Sequence, residues 1–228
     1  MSEITSFGKV RGLNIGQAEE INNENIQVAL SGQGEQLVAF AAEPFQEEFR
    51  RGRSFWVANA IGSPVAAVTA IPSVAYIMAI FNNEPDGGRS YVINYVWAHF
   101  VVIPATQIHC GIIGCLGQVR EAAPTVAQNV GVIKSACGMG KLDTLCRATI
   151  GGAPDFPATT GIAANWFPIG DSLKTSIVSV PGVSIYSTVE GRIIVPPGRY
   201  FGVSVLSSNT TSTSIMGIGW TEKQLTLG

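Results

Sequence analysis

Gly191-Arg-Ile-Ile-Val-Pro-Pro-Gly-Arg-Tyr-Phe-Gly-Val-Ser-Val-Leu206 runs into a polar stretch, Ser207-Ser-Asn-Thr-Thr-Ser-Thr-Ser214, and then into Ile215-Met-Gly-Ile-Gly-Trp220. The order reads as strand, turn, strand, polar loop, strand. Phe201, Val203 and Val205 fall on one face at a period of two, as do Met216, Ile218 and Trp220. Pro196 fixes φ and the Pro-Gly pair that follows supplies a tight turn, so the flanking strands are expected to fold back on each other. A closing antiparallel pair of this kind belongs to a sandwich or jelly roll, where each strand buries one face against a second sheet. The expected fold is all-β: an antiparallel β-sandwich of jelly-roll type over residues 54–228, preceded by an extended arm over residues 1–53.

Upstream of this stretch the pattern stays β. Ser54–Ile61, Val65–Ala70 and Val74–Phe81 read as strands, separated by the Gly-Ser-Pro turn at 62–64 and by Pro72. Asn82-Asn-Glu-Pro-Asp-Gly-Gly88 is a loop by residue type. Arg89–Val102 is the longest strand, with Tyr91, Ile93, Tyr95, Trp97 and His99 expected on one face and Val92, Val96, Ala98 and Phe100 on the other. Apolar residues on both faces place it centrally in a sandwich or beneath a subunit contact. Further strands are expected at Cys110–Leu116, Val130–Ala136, Ser172–Val180 and Gly182–Thr188, with 151–161 as a long irregular loop.

The arm differs in composition. It holds eight of the 16 acidic residues and is rich in Gly, Asn and Gln. Glu43–Arg50 suits a short helix with Pro44 in its first turn. Two behaviours are open to it: gaining order from a neighbouring subunit, or folding back on its own domain.

Charge is scarce. Only 13% of the chain is Asp, Glu, Lys or Arg, against about 25% for an ordinary soluble domain. A compact monomer of this mass exposes roughly 10,000 Å², so its 14 basic and 16 acidic residues cover that surface thinly. Such a surface favours association. The net charge of −2 argues against a nucleic-acid partner. No uninterrupted apolar run reaches membrane-spanning length, and the first residues lack a secretory signal pattern, so synthesis in a cytoplasm is expected. Cys110, Cys115, Cys137 and Cys146 form no Cys-x-x-Cys pair and are expected as reduced, buried thiols.

Catalytic signatures fail one by one. Gly138-Met-Gly-Lys-Leu142 lacks both the first glycine and the final hydroxyl of a phosphate loop, and no Gly-x-Ser-x-Gly elbow occurs. His99, His109, Cys110 and Cys115 have no good metal spacing, because adjacent residues of a strand point to opposite sides. The acidic residues beyond 53 are isolated, although carboxylates that meet only in space would escape this reading. No catalytic residue, cofactor or metal ligand is expected. Of the four tryptophans, Trp56, Trp97 and Trp220 fall in strands and Trp166 in a loop-like setting, where an aromatic ring suits sugar stacking.

The run Val189–Val203, its Ser/Thr loop and the closing Gly219-Trp-Thr-Glu222 resemble the ends of jelly-roll virion proteins of tailed bacteriophages. Phe49-Arg-Arg-Gly-Arg-Ser-Phe55, leading from a polar arm into the first strand, is similar to the same group. The likeness covers about a quarter of the chain, rests mostly on turn chemistry, and leaves 103–168 unmatched. It implies a non-enzymatic virion structural protein, a head decoration or surface protein, made in the host cytoplasm. Its partners would be copies of itself, with a trimer as one option, and other capsid proteins. Phe7, Leu13, Ile15, Phe45, Phe49, Trp97, Trp166 and Phe167 are the expected contact residues. The rival expectation is a receptor- or glycan-binding module of a tail fibre or lectin-like protein, with Trp166 in its site.

Overall fold

A computed structural model describes residues 48–49, 51–60, 62–72, 78–102, 108–121, 133–136, 144–150, 165–175 and 183–225. Eleven strands lie among them: β1 (Ser54–Ala58), β2 (Val65–Ala66), β3 (Met78–Phe81), β4 (Arg89–Val102), β5 (Ile108–Leu116), β6 (Ile133–Ser135), β7 (Arg147–Ile150), β8 (Trp166–Thr175), β9 (Ser184–Val195), β10 (Tyr200–Ser207) and β11 (Thr213–Gln224). α-Helix is confined, among the described residues, to Glu48 and Phe49.

The strands form two antiparallel sheets. The first runs β6-β1-β11-β4-β9, with β2 also paired to β11, and the second runs β7-β3-β10-β5-β8. One apolar core lies between them. Phe55, Tyr91, Ile93, Val96, Ile218 and Trp220 of the first sheet share it with Met78, Ile80, Ile112, Phe201, Val203 and Val205 of the second. Trp220 sits between Phe55 and Tyr91, each ring centroid 6.0 Å from its own. The molecule is a β-sandwich, as alternation in the C-terminal runs predicts.

The Pro-Pro-Gly turn acts differently from the expectation. The strands on either side of it do not pair: β9 lies against β4 in the first sheet, and β10 lies between β3 and β5 in the second. Gly198 takes φ +72° and Arg199 N–H donates to the Pro196 carbonyl at 3.2 Å, so the turn itself forms. It is used to cross from one sheet to the other. Two prolines bring no N–H to a ladder, and the Val195 carbonyl is taken by the side-chain amide of Asn82 at 2.9 Å. The same amide donates to the Arg89 carbonyl, and the Asn82 backbone bonds Arg199 O and Gly198 N. This buried asparagine therefore ties the crossover to the start of β4.

A bulge corrects the facing of β4. Its pairing with β11 slips between Gly219 and Trp220, so that Tyr95 faces Gly219 and Ile93 faces Trp220, leaving Asn94 as the extra residue. Tyr91 and Ile93 therefore turn inward with Val96, Ala98 and Phe100. Tyr95, Trp97 and His99 keep the outer side. On β9 the residues opposite Asn94 include Glu190 at φ 52° and Gly191 at φ 77°, which let the strand bend away before pairing resumes at Ile193.

Candidate functional site

The outer face of the first sheet carries the chemistry that stands open. Register brings three strands together there: Trp97 lies between Gly217 of β11 and Tyr186 of β9, Tyr95 between Gly219 and Thr188, and His99 opposite Ser184. Trp56 of β1 flanks Gly219 on its far side. Phe55 and Val57 point into the core, which leaves the Trp56 side chain on this outer face.

The two glycines explain how the rings lie. A Cβ at Gly217 would come within 2.4 Å of the Trp97 indole, and one at Gly219 within 2.2 Å of the Tyr95 ring. Each ring is bedded on bare backbone of the neighbouring strand. Tyr95 and Tyr186 stack with centroids 5.7 Å apart and planes 24° from parallel. Burial and the neighbouring Tyr186 raise the Tyr95 hydroxyl pKa above its ordinary value. The His99 Nδ1 is 2.7 Å from the Ser184 hydroxyl, which fixes the imidazole at one end of the row. Tyr95, Trp97, His99, Ser184 and Tyr186 line an open groove of about 600 Å³. Tyr186 is 60% exposed.

The outer face of the second sheet is closed where β3, β10 and the end of β5 meet, while His109 of β5 and Pro168 and Ser172 of β8 are exposed. Ala79, Phe81, Cys115 and Tyr200 form a second apolar cluster there with Trp166 packed against it. The Trp166 indole N–H donates to the Pro72 carbonyl at 2.8 Å. Trp166 and Phe167 belong to a strand rather than a loop, and they face opposite ways, since Phe167 packs on the central core. Phe49 is half-buried in the helical turn before β1, where Gly52 N–H donates to its carbonyl at 3.0 Å. Of the expected contact residues that are described, Trp97 alone lies on the open groove. Trp166, Phe167 and Phe49 sit in other places, and Phe7, Leu13, Ile15 and Phe45 lie outside the described residues.

A buried polar cluster closes one end of the sandwich. Arg89 bridges Glu84 at 2.9 Å and Glu222 at 3.1 Å, and the Thr144 hydroxyl donates to the other Glu222 oxygen. The Glu222 side chain has no solvent exposure. Burial lifts its carboxyl pKa to about 7, while Thr144 and Arg89 pull it back toward the ionised form. With no exposure, this acid is placed for structure. Cys110, Cys115 and Cys146 are buried and form no disulfide, and burial pushes Cys110 up to about 11; Cys137 lies outside the described residues. His99 stands in the first sheet and His109, Cys110 and Cys115 in the second, and no metal-holding group of three His, Cys, Asp or Glu side chains occurs among the described residues.

No family model matches the chain, and no curated protein matches it. Among solved structures, a cryo-EM structure of mud crab dicistrovirus aligns at 12% identity and a TM-score of 0.20, covering 100% of this chain and 92% of that chain. At that TM-score the likeness bears on neither fold nor function.

Proposed function

We propose that this chain is a non-enzymatic structural protein of a virus particle, assembling with copies of itself and with other shell proteins. The observation that carries the reading is the strand order. Within the two sheets, β1-β11-β4-β9 and β3-β10-β5-β8 make two antiparallel four-strand layers. That order supports a jelly roll, an architecture used for shell building as well as for ligand binding. The sparse charge and the tail's likeness to tailed-phage virion proteins favour the first use, as a decoration or surface protein of the head. In this reading the arm of residues 1–53 reaches a neighbouring subunit, and many weak contacts add up through copy number.

Two measurements test it. The purified protein should run at a multiple of 24.0 kDa and should bind empty phage heads. Deleting residues 1–30 should abolish head binding and leave the β-sandwich folded. A stable monomer that ignores heads defeats the proposal, and loss of the fold on deletion would assign the arm to the domain itself.

A further inference from the structure

The open groove has a chemistry of its own. Each of its five lining side chains carries a hydrogen-bonding atom: two phenols, an indole, an imidazole and a hydroxyl. None is Asp, Glu, Lys or Arg. Four of the five also offer a flat ring. Such a surface suits a neutral ligand that is apolar on its faces and polar around its rim, and it offers no counter-charge to an ionic one.

Over β4 and β11 one other mode of capture is closed, while the groove also takes Ser184 and Tyr186 from β9, the edge strand of this sheet. β11 and β4 are interior strands, paired on both sides, so a peptide cannot be held over them by adding a strand. Recognition over the rings of β4 falls to side chains. Those side chains are set in advance: Trp97 lies on Gly217, Tyr95 on Gly219, Tyr95 stacks on Tyr186, and His99 is held by Ser184. Glycine in the middle of a strand weakens a sheet. Two of them in the most central strand, each beneath an outward ring, make a flat platform that loses little freedom when a ligand lands.

We propose that this groove is a binding site for a neutral oligosaccharide, with a pyranose face laid on the Trp97 and Tyr95–Tyr186 rings and its hydroxyls bonded by His99 and Ser184. Its volume of about 600 Å³ holds one to a few sugar rings. The inference is independent of the virion role: a particle protein with this groove would also hold the carbohydrate coat of a cell, and a free-standing one would be a lectin.

The test uses the full chain against arrayed gluco-, galacto- and N-acetylglucosamine hexasaccharides, with sialylated and uronate oligomers beside them. The expected result is saturable binding of at least one neutral series and none of the acidic ones. Tyr186→Ala should weaken it about tenfold without moving the denaturation midpoint. Trp97→Phe, which keeps a ring, should cost less than Trp97→Ala. The proposal falls if no neutral oligomer binds, or if binding survives both Tyr186→Ala and Trp97→Ala. It falls equally if Tyr186→Ala changes the oligomeric mass, because the face then belongs to a second copy of this chain. Head binding and mass of the unaltered protein report on the virion reading separately.

Discussion

On the second sheet, the outward residues Ala79, Phe81, Cys115 and Tyr200 are as deeply buried as the central core, whereas on the first sheet Tyr186 stands largely in solvent beside Tyr95 and Trp97. The difference is recorded in β10 and β9, not in β11, which lies beneath the outer rings of the first sheet and is buried from Ser214 to Glu222. β10 is buried almost throughout, Tyr200 to Val205 without a break, while the first half of β9 alternates buried and exposed residue by residue. A strand covered on both sides has no polar face to show; a strand open on one side must alternate. The contrast assigns one outer face to stability and leaves the other free for recognition.

The largest effect should come from the closed face. Tyr200→Ala removes a ring that is 1% exposed and should cost about 4 kcal/mol in urea denaturation; a cost near zero would show that this face is not sealed. The interior shared by both sheets gives the next test. Glu222 holds its proton more tightly when folded, at about 7 against an ordinary 4.5. Its stabilising contribution is therefore complete below about pH 4.5 and is lost as pH rises through about 7, by roughly 3 kcal/mol. Glu222→Gln should flatten that part of the stability–pH curve, and parallel curves for variant and parent would refute the assignment.

Smaller effects belong to the open face. Gly217→Ala places a methyl against the Trp97 indole, so the ring must lift, at about 1–2 kcal/mol. Thermal melting reads the cost, and tryptophan emission should shift to the red as the indole meets water. Tyr186→Ala should change stability by less than about 0.5 kcal/mol. A loss as large as that of Tyr200→Ala would erase the distinction between the two faces.

Much of the fold is legible in the residues. Alternation at Phe201, Val203 and Val205 and at Met216, Ile218 and Trp220 names two strands and the side on which each meets the core. What local pattern could not supply is register. Nothing in Tyr91–His99 announces that Asn94 will be extra, because the bulge exists only relative to Gly219 and Trp220 on a strand more than a hundred residues away. For the same reason the Pro-Pro-Gly turn does not reveal the partners of its flanking strands, since a turn's local geometry does not say which sheet receives the next strand. β7 is short and holds only two aliphatic residues, Ala148 and Ile150, so its strand character comes from pairing with β3. The groove was hidden likewise, being assembled from β4, β9 and β11. One local signal did point to it: the spaced glycines of Met216-Gly-Ile-Gly-Trp220, each a gap in an otherwise bulky strand.

Among the described residues, the two strands latest in sequence are interior ones, β10 between β3 and β5 and β11 between β1 and β4. A nascent chain that has emerged only as far as β9 thus has neither β1–β4 nor β3–β5 joined, and their apolar edges wait for the segment still on the ribosome. Both sheets can close only once β10 and β11 are in place, and until then the unpaired edges of β1, β4, β3 and β5 are open to pairing with other chains.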